Sequence, residues 1–411
     1  LTLAESVELF APDGVAGDAF GSAVAADYDR LVVGAAGDDD MGSSSGSVYV
    51  FRRVASGLVF EAKLVAPDGA SGDRFGSAVA IAGERIAVGA WGDEDTGNDT
   101  GAVYMFAYAG GAWSFDAKIV PLDSQPEQQF GNALGLAGDR LVAAAHRQIV
   151  VGSDSGAVYV YRRRASGWQQ EAKLVPPDAF SYDQFGFSVA FDGARILSGA
   201  FHDDDLGSSS GSAYVYVFDG ADWVLEAKLL QDDGVAFDEL GIAVALAGDT
   251  AVVGAPGADE LGDSAGAAYL FRRDGSQWLQ TAKLNAPGGL AQDFAGRQLA
   301  LQGRWAAVAS PRDDSAAFNA GAVQLYERCG EHWTARAELR ASDASTGALL
   351  GDAPALTLDS GVLFAGAPAD DELASNAGSV YVFLASDFPY QTLCFGDGQG
   401  SVCPCGNASL P

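Results

Sequence analysis

No apolar run in this 411-residue chain approaches the roughly 20 residues a membrane-spanning helix needs, so membrane insertion is not expected. Positive charge is scarce as well. There are 24 Lys+Arg against 55 Asp+Glu, a formal net charge of −31. Such a chain repels phosphate backbones and anionic lipid, so nucleic acid is not an expected partner. Leu1 opens no charged n-region and apolar h-region, so a secretory leader is expected to have been removed or never to have been present. No Gly-x-Ser-x-Gly nucleophile elbow is expected, and a His-Glu-x-x-His zinc motif, a phosphate-cradling loop and a dinucleotide fingerprint are missing. With only three His present, no enzymatic activity is expected.

Glycine is abundant, with 53 residues, and it keeps a beat. Phe20-Gly21, Phe75-Gly76, Phe130-Gly131, Phe185-Gly186, Leu240-Gly241, Phe294 (then Ala295-Gly296) and Leu350-Gly351 recur every 54 to 56 residues. Trp113, Trp168, Trp223, Trp278 and Trp333 keep a 55-residue spacing of their own. Seven copies of one unit make a repeat architecture. In the second unit, Phe75–Ala82 and Arg85–Ala90 read as strands around the Gly83-Glu84 turn, followed by Ala102–Phe106 and Phe115–Val120. Four antiparallel strands repeated seven times predict an all-β, seven-bladed β-propeller. The seventh unit lacks a fourth strand, while Ser6–Phe10 precede the first unit where a fourth strand should stand. The N-terminal strand is therefore expected to complete the last blade and close the ring, removing two exposed sheet edges. The propeller is expected over residues 1–385. The Gly/Cys-rich tail, 386–411, reads as the start of a truncated sorting or second module.

Phe-Gly-Ser-Ala-Val-Ala, then Val-Gly-Ala-(Pro), then Gly-Ala-Val-Tyr-Val-Phe resembles the FG-GAP repeat of integrin α-subunit propellers and related bacterial surface proteins. Gly254-Ala255-Pro256 and Gly366-Ala367-Pro368 carry the pattern literally. The resemblance implies a seven-bladed propeller that binds ligands on one face, usually outside the cell and often with Ca²⁺. One departure matters. The family's Asp-x-Asp-x-Asp-Gly loop between first and second strands is replaced here by tight turns such as Ala82-Gly83-Glu84 and Ala137-Gly138-Asp139.

Carboxylates gather elsewhere, in the loops between second and third strands. Three of these read Asp-x-Asp-x-Gly: Asp38 and Asp40, Asp93 and Asp95, Asp203 and Asp205. Alternating carboxylates before a glycine can supply hard oxygens to Ca²⁺. The competing reading is a solvated turn whose Asp side chains cap backbone N–H groups. The residue after each Gly-Ala pair should ring the channel mouth, and blades two to four place Trp91, His146 and Phe201 there. Arg147, His202 and Asp203 follow closely, and together the six form a candidate ligand cup. A neutral or partly cationic sugar stacked on Trp91 is the expected occupant. Neighbouring carboxylates are expected to raise the pKa of His146 and His202. The Trp series reads as packing between blades.

Two functions compete. The first is a secreted or cell-surface binding module for a glycan or protein ligand, monomeric and with Ca²⁺ as its expected cofactor. The second is a polysaccharide lyase or hydrolase on the same scaffold, with His146 or His202 as acid or base and Arg147 neutralising a substrate carboxylate. Four cysteines, Cys329, Cys394, Cys403 and Cys405, allow three complete pairings and favour an oxidising setting.

Overall fold

A computed structural model describes residues 3–352 and 354–385. Within them, 28 strands form seven four-stranded antiparallel sheets, with no helix among the described residues. The first blade runs outward from the axis as Phe20–Asp27, Arg30–Ala35, Ser47–Val54 and Gly57–Leu64. The second strand of each blade is buried over almost its whole length, which fits its near-continuous apolar sequence (Leu31-Val32-Val33-Gly34-Ala35 in blade one). The outermost strand is exposed or half-buried up to its last residue, Leu64, which is buried.

The N-terminal strand closes the ring as expected. Leu3–Leu9 lies antiparallel to Ser379–Ala385, pairing Leu9 with Val380 and Glu5 with Phe383. It completes the sheet whose other members are Leu356–Asp359 and Val362–Ala367. The tail beyond Ala385, with Cys394, Cys403 and Cys405, lies outside the described residues; Cys329 is disulfide-bonded.

The repeat signature has a packing cause. Phe20 is fully buried and meets Tyr49 edge-to-face at 5.4 Å. The glycine after it lets neighbouring blades touch backbone to backbone: a Cβ on Gly34 would lie 1.9 Å from the carbonyl oxygen of Gly76 in the next blade. The same contact closes the circle, where a Cβ on Gly366 would lie 2.2 Å from the carbonyl oxygen of Gly21.

One position of the repeat shifts. The bridge Gly266–Ala295 matches Gly211–Leu240 and Gly156–Phe185, so Ala295 rather than Phe294 anchors the sixth blade. Phe294 stands one residue earlier, at φ 56°, as Leu349 does at 56° and Glu239 at 57°. Its aromatic identity had disguised the register.

Each outermost strand carries a bulge. In blade one Val50 pairs with Ala62 and Phe51 with Phe60, leaving Glu61 as the extra residue. Glu61 accepts hydrogen bonds from Arg30 Nε at 2.9 Å and from Trp113 Nε1, in the next blade, at 3.0 Å. Trp223 donates to Glu171 at 3.2 Å and Trp278 to Glu226 at 3.0 Å in the same way. The Trp series joins adjacent blades.

Candidate functional site

The Asp-x-Asp-x-Gly loops already hold a cation. Lys63, on the outermost strand, places Nζ 2.8 Å from Asp13, 2.9 Å from Asp38 and 2.6 Å from Asp40. Tyr49 donates its hydroxyl to Asp13 at 2.6 Å and Asp38 at 3.1 Å, and Ser47 donates to Asp38 at 2.9 Å. The amide of Asp40 donates to Asp38 Oδ1 at 3.0 Å. Burial opposes the charge on Asp38, but Lys63 and the Asp40 amide outweigh it and hold the carboxyl below its ordinary range. Burial likewise opposes the Lys63 ammonium, and its acidic partners raise its pKa above the ordinary lysine value.

Lys118 repeats the arrangement with Asp68, Asp93 and Asp95, and Lys228 with Asp178, Asp203 and Asp205. The six carboxylates considered for Ca²⁺ thus surround three ammonium groups, and these loops do not fit a metal ion as they stand. Asp203 belongs to this network rather than to the mouth: it is buried and bonded to Ser212, Tyr214 and Lys228. Blade three keeps a reduced version, with Gln148 facing the Tyr159 hydroxyl at 3.2 Å and Lys173 bonded to Asp123.

Blade seven breaks the series. Glu8 stands where blades one to five have lysine (blade six carries Glu338 there), and oxygens of Glu8, Asp343 and Glu372 lie within 4.8 Å of one another. Burial, a hydrogen bond with Glu372 and the charge of Asp343 push the Glu8 carboxyl up to about 8. At neutral pH this carboxyl carries a proton, which removes a charge the missing lysine would have balanced.

At the axis a cavity of about 390 Å³ opens, lined by residues from every blade. Trp91 and His146 both line it, together with Arg74, Gln129, Asn132 and Phe187. His146 is half-buried and its Nδ1 has no hydrogen-bond partner. Burial, reinforced by the neighbouring Arg147, depresses its pKa to about 3. The expectation of a raised value fails for His146, because the nearby carboxylates are turned to lysines while the ring is desolvated. His146 is a neutral hydrogen-bonding group at working pH.

The other candidates stand around this cavity rather than in it. Phe201 is buried behind Phe187, with ring centroids 4.4 Å apart, and His202 stacks on Phe201 at 3.8 Å. Arg147 pairs with Asp154 at 3.7 Å. Of the groups named for a lyase, His146 lines the cavity, while the alternative base His202 and the cation Arg147 do not. Sequence reasoning missed Arg74, which lines the cavity with its guanidinium carbon 5.3 Å from the Trp91 ring centre. The pattern Gly-x-Ser-x-Gly, expected to be absent as an elbow, does occur in three loops: Gly42–Gly46, Gly207–Gly211 and Gly262–Gly266. Their central serines have φ near 50°, but no helix follows them, unlike a nucleophile elbow.

Against protein-family models, the FG-GAP repeat matches seven times, over residues 4–51, 58–106, 113–161, 168–216, 223–271, 278–326 and 333–383. No curated protein matches the chain.

Proposed function

The chain belongs to the FG-GAP repeat family, and from that premise we propose that it is a secreted or cell-surface recognition module, not an enzyme, that takes a sugar-sized group at the mouth of its axial channel. One observation carries this reading: a cavity of about 390 Å³ that combines the Trp91 ring with the unpartnered Nδ1 of His146. That volume falls in the range of small-molecule sites. An indole offers a flat apolar face to a pyranose ring, and polar side chains such as Gln129 and Asn132 surround it with donors and acceptors. The disulfide-bonded Cys329 supports an oxidising, extracellular setting. Fold alone does not fix function, so the reading stands on this site.

A glycan array followed by calorimetry tests it. Trp91→Ala should abolish binding without lowering the melting temperature, since blade one carries Ala36 at the equivalent position. Binding retained by folded Trp91→Ala would end this assignment.

A further inference from the structure

We propose that the sugar-sized ligand of this cavity bears a carboxylate, as a uronic acid does, and that Arg74 receives it. The proposal rests on the channel-mouth reading above and names its ligand class.

The chain carries a net charge of −31, yet among the described residues no Asp or Glu lines the axial cavity. Arg74 is the one described Lys or Arg that does. His146 adds no charge, being neutral at working pH. The site is thus a cationic spot within an acidic protein, and it favours an anionic ligand over the neutral or partly cationic one that the sequence suggested. Arg74 makes no ion pair with any described residue, whereas Arg30 pairs with Glu61, Arg140 with Glu171 and Arg195 with Glu226. Its guanidinium instead rests near the Trp91 ring, which orients it while leaving its N–H groups available. A planar guanidinium beside an indole suits a carboxylated pyranose: the ring stacks on Trp91 and the carboxylate takes charge-assisted hydrogen bonds. Exposed Asp39, Glu94 and Asp204 on the surrounding loops oppose a long polyanion. A single uronate, free or at a chain end, meets both conditions.

The backbone makes Arg74 a clean target. It sits at φ 55°, where Gln129 and Gln184 sit at 56° and 55° in the next two blades. Arg74→Gln therefore installs a residue the fold already carries at this position.

Calorimetry on the full chain should compare galacturonate and glucuronate with galactose and glucose at low and high salt. At least one uronate should bind about tenfold more tightly than its neutral counterpart, and salt should weaken only the uronate. Arg74→Gln should erase that preference, so that uronate and neutral sugar bind alike, while Trp91→Ala removes both. Equal binding of uronate and neutral sugar, or a preference that survives Arg74→Gln, would overturn the carboxylate assignment and leave the sugar site standing. Failure of all four sugars to bind would overturn both. The salt dependence of the unaltered protein decides the matter even if the variant folds poorly.

Discussion

Lys63 Nζ lies 2.9 Å from Asp38 Oδ2, joining the outermost strand of the first blade to the loop after its second strand. Lys118 holds Asp93 at 2.7 Å and Lys228 holds Asp203 at 2.8 Å in the same way. The acidic loops are therefore internal ties, and the mouth owes its shape to them. The loop after Ala35 carries Asp38 only three residues beyond it, so fixing Asp38 also fixes the rim.

Replacing Lys63 by Met should destabilise the protein by about 1–3 kcal/mol, because Asp38 stays buried and loses its charged donor. Thermal unfolding should show the drop. Adding millimolar Ca²⁺ to the unaltered protein should leave its midpoint where it is, since the ammonium groups occupy these loops. An upward shift traced to blades one, two or four would contradict this.

Acid should undo the same ties. Asp13, Asp38, Asp68 and Asp178 are held below their ordinary pKa of 3.8, with Lys63, Lys118 and Lys228 as the charged donors that outweigh burial. Their folded pKa is depressed, so their contribution is present above about pH 4 and disappears as pH falls below it. Chemical denaturation between pH 5 and 2 should show a steep loss. Lys63→Met should flatten that loss in proportion to the ties removed.

Much of this molecule was legible in the chain. The 55-residue beat of Phe-Gly and Trp fixed blade number, strand order and ring closure, because backbone contacts such as Gly34 to Gly76 tolerate no other residue. The lysine ties were equally periodic, at Lys63, Lys118, Lys173, Lys228 and Lys283, but their partners lie 23 to 50 residues away. Spacing reveals that such a series exists, not which groups it meets. The His146 shift was missed for a related reason: its direction is set by burial of the ring, reinforced by Arg147, and burial is not visible in the spacing. Arg74 was overlooked because it occupies the residue before Phe-Gly, a position filled by Ala, Gln, Glu, Phe and Leu in other blades.

Trp223→Ala should act on stability and leave sugar binding alone. Its Nε1 bonds Glu171 of the preceding blade at 3.2 Å, and its ring packs against Phe191 and Phe218, none of which lines the cavity. Loss of a buried aromatic of this kind costs about 3–5 kcal/mol. The melting temperature should fall while affinity at low temperature stays level. A matching loss of affinity in the folded variant would show that the two regions are coupled.

Deleting residues 1–11 should expose the edge of Ser379–Ala385 in blade seven, which now pairs with Leu3–Leu9. Unpaired edge strands recruit other chains. Size-exclusion chromatography should show aggregation, and any soluble fraction should melt well below the parent. A truncated protein that stays monomeric with the parent's midpoint would mean that the closing strand contributes little.

The most informative substitution is Glu8→Lys, which gives blade seven the residue that blades one to five carry. Tyr381 already bonds Asp343 at 2.8 Å and Asp370 at 3.0 Å, as Tyr49 bonds Asp13 and Asp38. An ammonium at position 8 would replace a protonated acid with a cation among these carboxylates. The sign of the pH effect follows from the raised pKa. Between about pH 4.5 and 8 the folded protein keeps a proton on Glu8 that the unfolded chain has released. Stability from this group is therefore full below about 4.5 and declines as pH rises to about 8. Glu8→Gln, uncharged throughout, should remove the decline. Glu8→Lys should remove it and add about 1–2 kcal/mol at pH 8, a figure kept small because the site is partly open to solvent. Melting curves from pH 5 to 9 separate the three proteins. Parallel curves for parent and Glu8→Gln would refute the protonated carboxyl, and a lower midpoint for Glu8→Lys would refute the equivalence of blade seven with its sisters.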